Sequence, residues 1–354
     1  MTLYINGRFL TQPMTGVNRY AYSICKALLE LGYSYTLICP NKPFRADYDI
    51  TGFHIVRFGW GNSHLWEQCV LPFYFIGKKD YLVLGLMGLG SVLIPNKIMT
   101  IHDLAFIKNP SWYTKAYYCL YKLMTPLAAR TSKHIITVSN YSKEEILRCY
   151  PFLKREQISV IYNAIDQQLF KPQPKAKSQK PKAPFILCVS SIDPRKNFAR
   201  LIEACQDITD TKLYIVGNHN RVFNDQKSLQ NTSDRIRFLG RISDNELVKL
   251  YNQAECFVFP SIYEGFGLPP LEAMACGCPV LVSDIPVLRE VCSDAAQYFN
   301  PFEPREILYA ITQYLNDADV IKEKMRQKGY ANVTRFSWEK SAELVIQLIR
   351  KVSE

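Results

Sequence analysis

Two carboxylates, Glu264 and Glu272, stand with seven residues between them, on either side of the run Gly265-Phe266-Gly267-Leu268. An ionised carboxylate accepts hydrogen bonds from two hydroxyls at once, and charged acceptors make the stronger bonds. That chemistry suits a polyol. The two glycines leave backbone N–H groups free of side-chain cover, as an anion or an array of hydroxyls needs at the start of a helix. Before the run, Cys256–Phe259 reads as a buried strand. After it, Leu271, Ala273, Met274 and Ala275 read as a short helix stopped by Gly277. Pro270 suits a first helical position, where its missing N–H is not needed. Glu272 then falls in the first turn, facing the same end as the loop. An acidic residue there also complements the helix dipole without any ligand. The Glu-Gly-Phe-Gly run in front of it favours the ligand reading.

Strand-like and helix-like runs of the same kind alternate along the whole chain. Tyr4–Phe9 reads as a first strand, and Val17, Tyr20, Ala21, Ile24, Cys25, Leu28 and Leu29 then recur at helical spacing up to Gly32. Further short apolar runs lie at Tyr35–Cys39, His54–Phe58, Tyr81–Leu84, Ile98–Ile101, Ile135–Val138 and Ile158–Tyr162. Thr114–Arg130 reads as a helix, and Ser142-Lys143-Glu144-Glu145 as a capping box opening another. From Lys171 to Pro184 the pattern is lost in a Lys- and Pro-rich stretch, read as a linker. It resumes with strands at Phe185–Val189, Lys212–Val216, Ile236–Leu239, Cys256–Phe259 and Pro279–Val282, and with a second capping box at Ser243–Glu246. An amphipathic helix, Trp338–Val352, follows. Two βα arrays predict an α/β protein with two Rossmann-like, doubly wound domains facing a cleft. The expected boundaries are 1–166, a linker at 167–184, a second domain at 185–335, and a C-terminal helix at 336–354 that crosses back to the first domain.

Composition narrows the setting. With 354 residues the chain is long enough for two cores. The eleven cysteines have no pairing rhythm and no zinc spacing, which suggests reduced thiols in a cytosol. The opening residues do not resemble a signal peptide. The longest apolar run, Tyr81 to Ile94, is too short for a bilayer span and is broken by Gly85, Gly88 and Gly90. The formal net charge of +11 is uneven: residues 1–165 carry 18 Lys and Arg against nine Asp and Glu, while residues 185–354 carry 20 against 22. A basic first half suggests an anionic partner, such as a phosphorylated substrate or a membrane surface, although a merely soluble basic face has the same composition. No nucleic-acid motif accompanies it.

The segment Glu264 to Glu272, with Phe259-Pro260-Ser261 before it and Gly277-Cys278-Pro279-Val280 after it, resembles the Glu-x7-Glu signature of the family-4 retaining glycosyltransferases of the GT-B fold. The resemblance covers nearly the whole chain. It includes Thr15-Gly16-Val17-Asn18-Arg19-Tyr20, Trp66-Glu67-Gln68, Thr100-Ile101-His102-Asp103, Thr137-Val138-Ser139-Asn140, Asp193-Pro194-Arg195-Lys196-Asn197 and Phe336-Ser337-Trp338. The nearest branch is similar to mannosyltransferase-B-like enzymes of bacterial surface-polysaccharide assembly.

The resemblance implies a donor site in which Glu264 contacts the sugar hydroxyls and the backbone of Gly265, Phe266, Gly267 and Leu268 lines the sugar and diphosphate. Glu272 binds the ribose. Arg195 and Lys196 suit a diphosphate leaving group, on which charge grows in the transition state; two exposed cations before a helix are the plainer alternative. The family has Gly-Arg where this chain has Ser190-Ser191, which leaves the diphosphate to these two cations. Gly16 lets the backbone approach a donor phosphate, unless it serves only an ordinary turn. Gly240 and Arg241 lie where the base is chosen. The resemblance places His102 at the donor sugar, holding a hydroxyl or stabilising charge rather than acting as a base. His54, His64, His134 and His219 take a structural reading. Neither Asp47-Tyr48-Asp49 nor Asp317-Ala318-Asp319 sits at a strand end, so no metal and no cofactor are expected. Trp112, Tyr113, Tyr117, Tyr118 and Tyr121, with Lys115, Lys122 and Asp103 nearby, form an aromatic, basic stretch for a lipid-linked acceptor or an anionic membrane face; a core-packed helix is the alternative.

The implied activity is retaining transfer of a hexose from a nucleotide-diphosphate sugar to a saccharide acceptor, a lipid-linked O-antigen- or capsule-type glycan at the cytoplasmic face of the inner membrane. Branch resemblance implies mannose from GDP-mannose. A UDP-linked N-acetylglucosamine, glucose or galactose stays open, as does a GT-B epimerase or phosphorylase. From outside enzymes, a catalytically silent, membrane-bound glycan-binding subunit is the alternative.

Overall fold

In the computed structural model, residues 1–173, 183–218 and 235–353 are described. The chain forms two compact units. Unit 1 holds Met1–Ile107, Tyr118–Ala164 and the chain from Phe336 onward; unit 2 holds Lys108–Tyr117 and Ile165–Arg335.

Unit 1 is built on seven strands: β1 (Thr2–Asn6), β2 (Thr36–Cys39), β3 (Ile55–Arg57), β4 (Tyr81–Gly85), β5 (Lys97–Thr100), β6 (His134–Thr137) and β7 (Ile158–Val160). All pair in parallel, in the order β3-β2-β1-β4-β5-β6-β7. The central strands are buried along their length, as near-continuous apolar runs in a two-sided parallel sheet must be. The helix Gly16–Glu30 opens on Thr15, whose side chain accepts from Asn18 N–H, and buries Tyr20, Ile24 and Leu28 on one face. The C-terminal helix Trp338–Ser353 packs on it: Trp338 meets Tyr20 edge-on at 6.0 Å, and Ser341 Oγ donates to the Tyr162 carbonyl at 2.8 Å.

Unit 2 repeats the plan with six parallel strands: β8 (Phe185–Val189), β9 (Lys212–Val216), β10 (Ile236–Gly240), β11 (Cys256–Phe259), β12 (Val280–Ser283) and β13 (Gln297–Phe299), ordered β10-β9-β8-β11-β12-β13. Its core joins Ile186, Leu213, Val258 and Leu281 of the sheet to Phe198 and Ile307 of the covering helices. The capping box at Ser243 forms as expected: Ser243 Oγ accepts from Glu246 N–H at 3.3 Å, and the Glu246 carboxylate accepts from Ser243 N–H at 2.9 Å.

Several local expectations are corrected. The first strand stops at Asn6 rather than Phe9. A Cβ on Gly7 would lie 2.5 Å from Cys39 Sγ, and the chain there tightens into a 3₁₀ turn, Arg8–Thr11. The helix assigned to a cap at Ser142 begins three residues earlier: Ser139 Oγ accepts from Ser142 N–H at 3.0 Å, while Glu145 lies on the buried face and pairs with Arg148. The stretch read as a linker from 167 is held in unit 2 as far as Gln173. Phe170 packs edge-on against Tyr251, and Gln173 N–H donates to Asn252 at 2.7 Å. The rest of that stretch, 174–182, and His219 lie outside the described residues. The eleven cysteines are all free thiols, eight of them buried. Among the described residues no helix is long and apolar enough to cross a membrane.

Candidate active site

Both sheets have one point where the chain reverses its direction of travel across the sheet. In unit 2 it lies between β8 and β11, and ligands of open α/β sheets bind in the crevice at the carboxyl ends of such strands. The loops after those two strands carry the predicted residues. After β8, Asp193 is wholly buried and takes a hydrogen bond from Ser191 Oγ at 2.7 Å and one from Arg195 Nε at 3.2 Å. Ser191 therefore organises Asp193, which in turn aims Arg195. Asn197 adopts a left-handed conformation with φ +58°. Its side-chain amide donates to the carbonyls of Pro260 at 3.1 Å and Pro301 at 2.7 Å. A backbone bond from Ile262 N–H to the Arg195 carbonyl at 2.8 Å ties the two loops together.

That tie brings Lys196 and Glu264 into a direct ion pair, with side chains only 8% and 9% exposed. The Lys196 ammonium also sits 5.4 Å over the Phe259 ring. Burial pushes the Glu264 carboxyl upward, but the charges of Lys196 and Arg195 more than offset it and hold it below the usual carboxylate range. Glu264 is thus an ionised acceptor at neutral pH. Gly267 has φ +104°, and a Cβ there would stand 2.8 Å from Leu288 Cδ2, so only glycine lets the loop turn into the helix Leu268–Ala275. Gly265 and Phe266 are buried in that turn. Glu272 lies in the helix, nearly buried, and accepts from the Tyr251 hydroxyl at 3.1 Å. Gly240 and Arg241 stand apart from this group. They end the edge strand β10, two strands from β8, where a bulge and φ +68° at Gly240 bend the chain and leave Arg241 exposed.

Unit 1 holds the other predicted residues. His102 follows β5, and its Nε2–H donates to the Leu86 carbonyl at 3.0 Å, while Tyr20 packs edge-on to its ring at 4.9 Å. Burial lowers its pKa against the opposing effects of the Leu86 bond and Asp103. The ring is therefore neutral, with its proton on Nε2 and an acceptor lone pair on Nδ1. Asp103 caps the turn Ala105–Lys108 by accepting from Ala105 N–H at 3.0 Å. Gly16 starts its helix, and among the described residues nothing but its chain neighbours and its own helix backbone comes within 4 Å of where a Cβ would stand. Packing within the unit does not demand glycine there. The aromatic stretch is divided. Trp112, Tyr113 and Tyr117 belong to unit 2, where Trp112 lies 6.3 Å from the ring of Tyr263, next to Glu264; Tyr118 and Tyr121 belong to unit 1. His54 bonds Thr36 and His134 bonds Ser159, the structural roles expected of them.

Sequence reasoning missed Asp193, Asn197 and Tyr251 as supports of the charged residues, and Trp112 as a neighbour of the Glu264 loop. Only the Asp-Pro-Arg-Lys-Asn order carried a signal for the first two.

Two parallel, doubly wound units, with a buried cation–carboxylate pair at the switch point of the second, have the architecture that the family resemblance implies, the GT-B fold. The sequence comparisons agree: residues 14–169 match the model "Glycosyltransferase Family 4" and residues 170–332 match "Glycosyl transferases group 1". The chain is 32% identical over 257 residues to the O-antigen chain mannosyltransferase RfbU of Salmonella typhimurium, covering 72% of this chain and 69% of that one. It is 30% identical over 275 residues to the O-antigen chain mannosyltransferase B of Escherichia coli, covering 74% and 72%. In structure it is similar to the sucrose-phosphate synthase of Thermosynechococcus elongatus, with a TM-score of 0.79 over 99% of this chain and 98% of that one at 22% identity. The chain belongs to the family-4 glycosyltransferases, on the branch of the O-antigen mannosyltransferases.

Proposed function

We propose that this enzyme moves mannose from GDP-mannose to a saccharide acceptor, a lipid-linked surface glycan, with retention of configuration. The observation that carries the reading is the buried Lys196–Glu264 pair at the β8/β11 switch point, directly ahead of a glycine turn and a helix start. Glu264 takes hydroxyls of the donor sugar and Glu272 those of the ribose. In the transfer the bond from the sugar's C1 to the diphosphate oxygen breaks and a bond from C1 to the acceptor oxygen forms on the same face. The acceptor's proton passes to the departing diphosphate. Lys196 and Arg195 meet the charge that grows there, so no metal ion is required. Neutral His102, with Nδ1 as an acceptor, holds a donor hydroxyl rather than taking a proton.

The membrane side of the proposal is supported by the helix Lys115–Arg130. Its outer face exposes Leu120, Leu123 and Leu127, flanked by Lys115, Lys122 and Arg130. Between Asp103 and Glu144 the chain has six Lys and Arg and no acidic residue. Apolar side chains ringed by cations fit an anionic lipid surface, which supports the reading of an enzyme that works on the cytoplasmic face of the inner membrane.

The test is to incubate the enzyme with EDTA, octyl α-mannoside and, separately, GDP-mannose, UDP-glucose, UDP-galactose and UDP-N-acetylglucosamine, following the first-formed product by proton NMR. The expected result is an α-linked product from GDP-mannose alone. A β-linked product, or loss of activity on metal removal, overturns the mechanism; a UDP-sugar preference overturns the donor.

A further inference from the structure

His102 is held from several directions. Its carbonyl accepts from Ser142 Oγ at 3.2 Å, and Ser142 Oγ accepts in turn from Ser139 Oγ at 3.0 Å. The residue before it is tied as well, with Thr137 Oγ1 donating to the Ile101 carbonyl at 2.8 Å. These bonds fix the backbone at the carboxyl end of β5. The imidazole is aimed by its bond from Nε2–H to the Leu86 carbonyl. A hydrogen bond at one ring atom leaves rotation about that axis open, so a wall must set the plane of the ring.

Tyr20 is that wall. Its ring is wholly buried on the helix Gly16–Glu30 and stands at 89° to the imidazole, within the range that favours edge-to-face aromatic pairs. Behind it lies Trp338, the half-buried first residue of the C-terminal helix, at an interplanar angle of 60°. The start of that helix is itself fastened. The Phe336 ring meets the Tyr162 ring at 90° and 5.5 Å, and Ser341 bonds the Tyr162 carbonyl. A run of rings thus leads from the C-terminal helix to His102.

The hydroxyl of Tyr20 plays no comparable part. It faces Thr100 on β5, yet both hydroxyls are wholly buried with no partner at hydrogen-bond distance among the described residues. A buried hydroxyl left unpaired lowers stability, and phenylalanine would present the same ring without one. The ring is therefore the working part of the side chain. It also contributes to the burial that keeps His102 neutral.

We propose that Tyr20 is a positioning residue, which sets the plane of the His102 ring for the donor sugar, and that Trp338 of the C-terminal helix buttresses it. This rests on the reading of His102 as a group that holds a donor hydroxyl. It gives the C-terminal helix a part in catalysis beyond crossing back to the first unit.

The test follows the ring nitrogens of His102 in the full chain labelled with ¹⁵N-histidine, assigned with His102→Gln. The wild type should show the Nε2–H tautomer alone. Tyr20→Met keeps bulk without a flat ring. It should mix the two tautomers, raise the titration midpoint of His102, and lower kcat/KM for GDP-mannose about tenfold or more, while the Kd of GDP, which has no sugar, stays unchanged. Tyr20→Phe should keep wild-type signals and turnover and raise the thermal midpoint. Trp338→Leu should move the His102 signals in the same direction by less. Unmoved His102 signals in Tyr20→Met overturn the proposal, as does a Tyr20→Phe enzyme as impaired as Tyr20→Met. Should Tyr20→Met fail to fold, Trp338→Leu decides, and unmoved signals there overturn it. Failure of the donor reading gives a different result: His102→Gln would transfer mannose at the wild-type rate, and Tyr20→Met would move the ring signals without moving the rate.

Discussion

The two switch points have the same topology and a buried cation–carboxylate pair each, yet the two pairs are assembled differently. In unit 2 the carboxylate, Glu264, rides on the loop that follows β11, next to Gly267 and a helix start, so backbone N–H groups and two cations converge on one space. In unit 1 no glycine turn leads from β1 into a helix start. The chain enters a 3₁₀ turn, and Glu67 reaches the crevice from a separate helical segment, pinned by Arg8, Asn6 and His64. In both, each of these cations has a carboxylate: Lys196 pairs with Glu264 and Arg195 with Asp193 in unit 2, as Arg8 pairs with Glu67 in unit 1. The difference lies in how the carboxylate arrives, on the loop ahead of a helix start in unit 2 and on a separate helical segment in unit 1.

Substitutions on the two sides should tell the two pairs apart. The largest effect is expected from Glu67→Ala, which strands Arg8 in the interior. Urea unfolding should show a loss of about 3–5 kcal/mol, and a loss under about 1 kcal/mol would show that the pair behaves as a surface salt bridge. Glu264→Ala should lower turnover roughly a hundredfold or more, measured as nucleotide release; a rate within threefold of wild type sinks the sugar contact. Arg195→Ala should be milder, about tenfold, because it removes one charged contact while Lys196 stays. An effect as large as that of Glu264→Ala would promote Arg195 to the principal diphosphate ligand.

The smallest effect concerns pH. Burial, with Lys351 and Lys143 nearby, holds His134 down to about 4 against its usual 6.5. The native state keeps it neutral, so its contribution is full above 6.5 and fades as pH falls toward 4. Glu67 and Glu264, both held below 4.5, lose theirs only below that value. Thermal midpoints of the wild type should therefore decline from pH 6.5 downward, and His134→Asn should flatten the slope between 6.5 and about 4. An unchanged slope would assign it to other groups.

Much of this was legible in the sequence where chemistry and order coincide. Ile98–Ile101 or Ile135–Val138 can only be buried strands, and Glu264-Gly265-Phe266-Gly267 announces a turn that side chains would obstruct. The pairing of Lys196 with Glu264 was not read from the sequence; it depends on β8 lying beside β11, which brings the loops after them together. What stayed hidden depended on distance along the chain. Arg8 and Glu67 are ordinary charges until the sheet folds, and Trp112 reads as part of a helix although it packs in the other unit, beside Tyr263. Ser190-Ser191 looked like a deficit at the diphosphate; Ser191 instead bonds Asp193 and so steadies Arg195.

The division of labour between Glu264 and Glu272 is tested most directly by calorimetric titration of GDP and GDP-mannose into the wild type, Glu264→Gln and Glu272→Gln. The account predicts that Glu272→Gln weakens both ligands by the same factor, about tenfold, because both carry the ribose. Glu264→Gln should weaken GDP-mannose by a similar factor and leave GDP untouched. Equal losses for the two ligands in Glu264→Gln would contradict it.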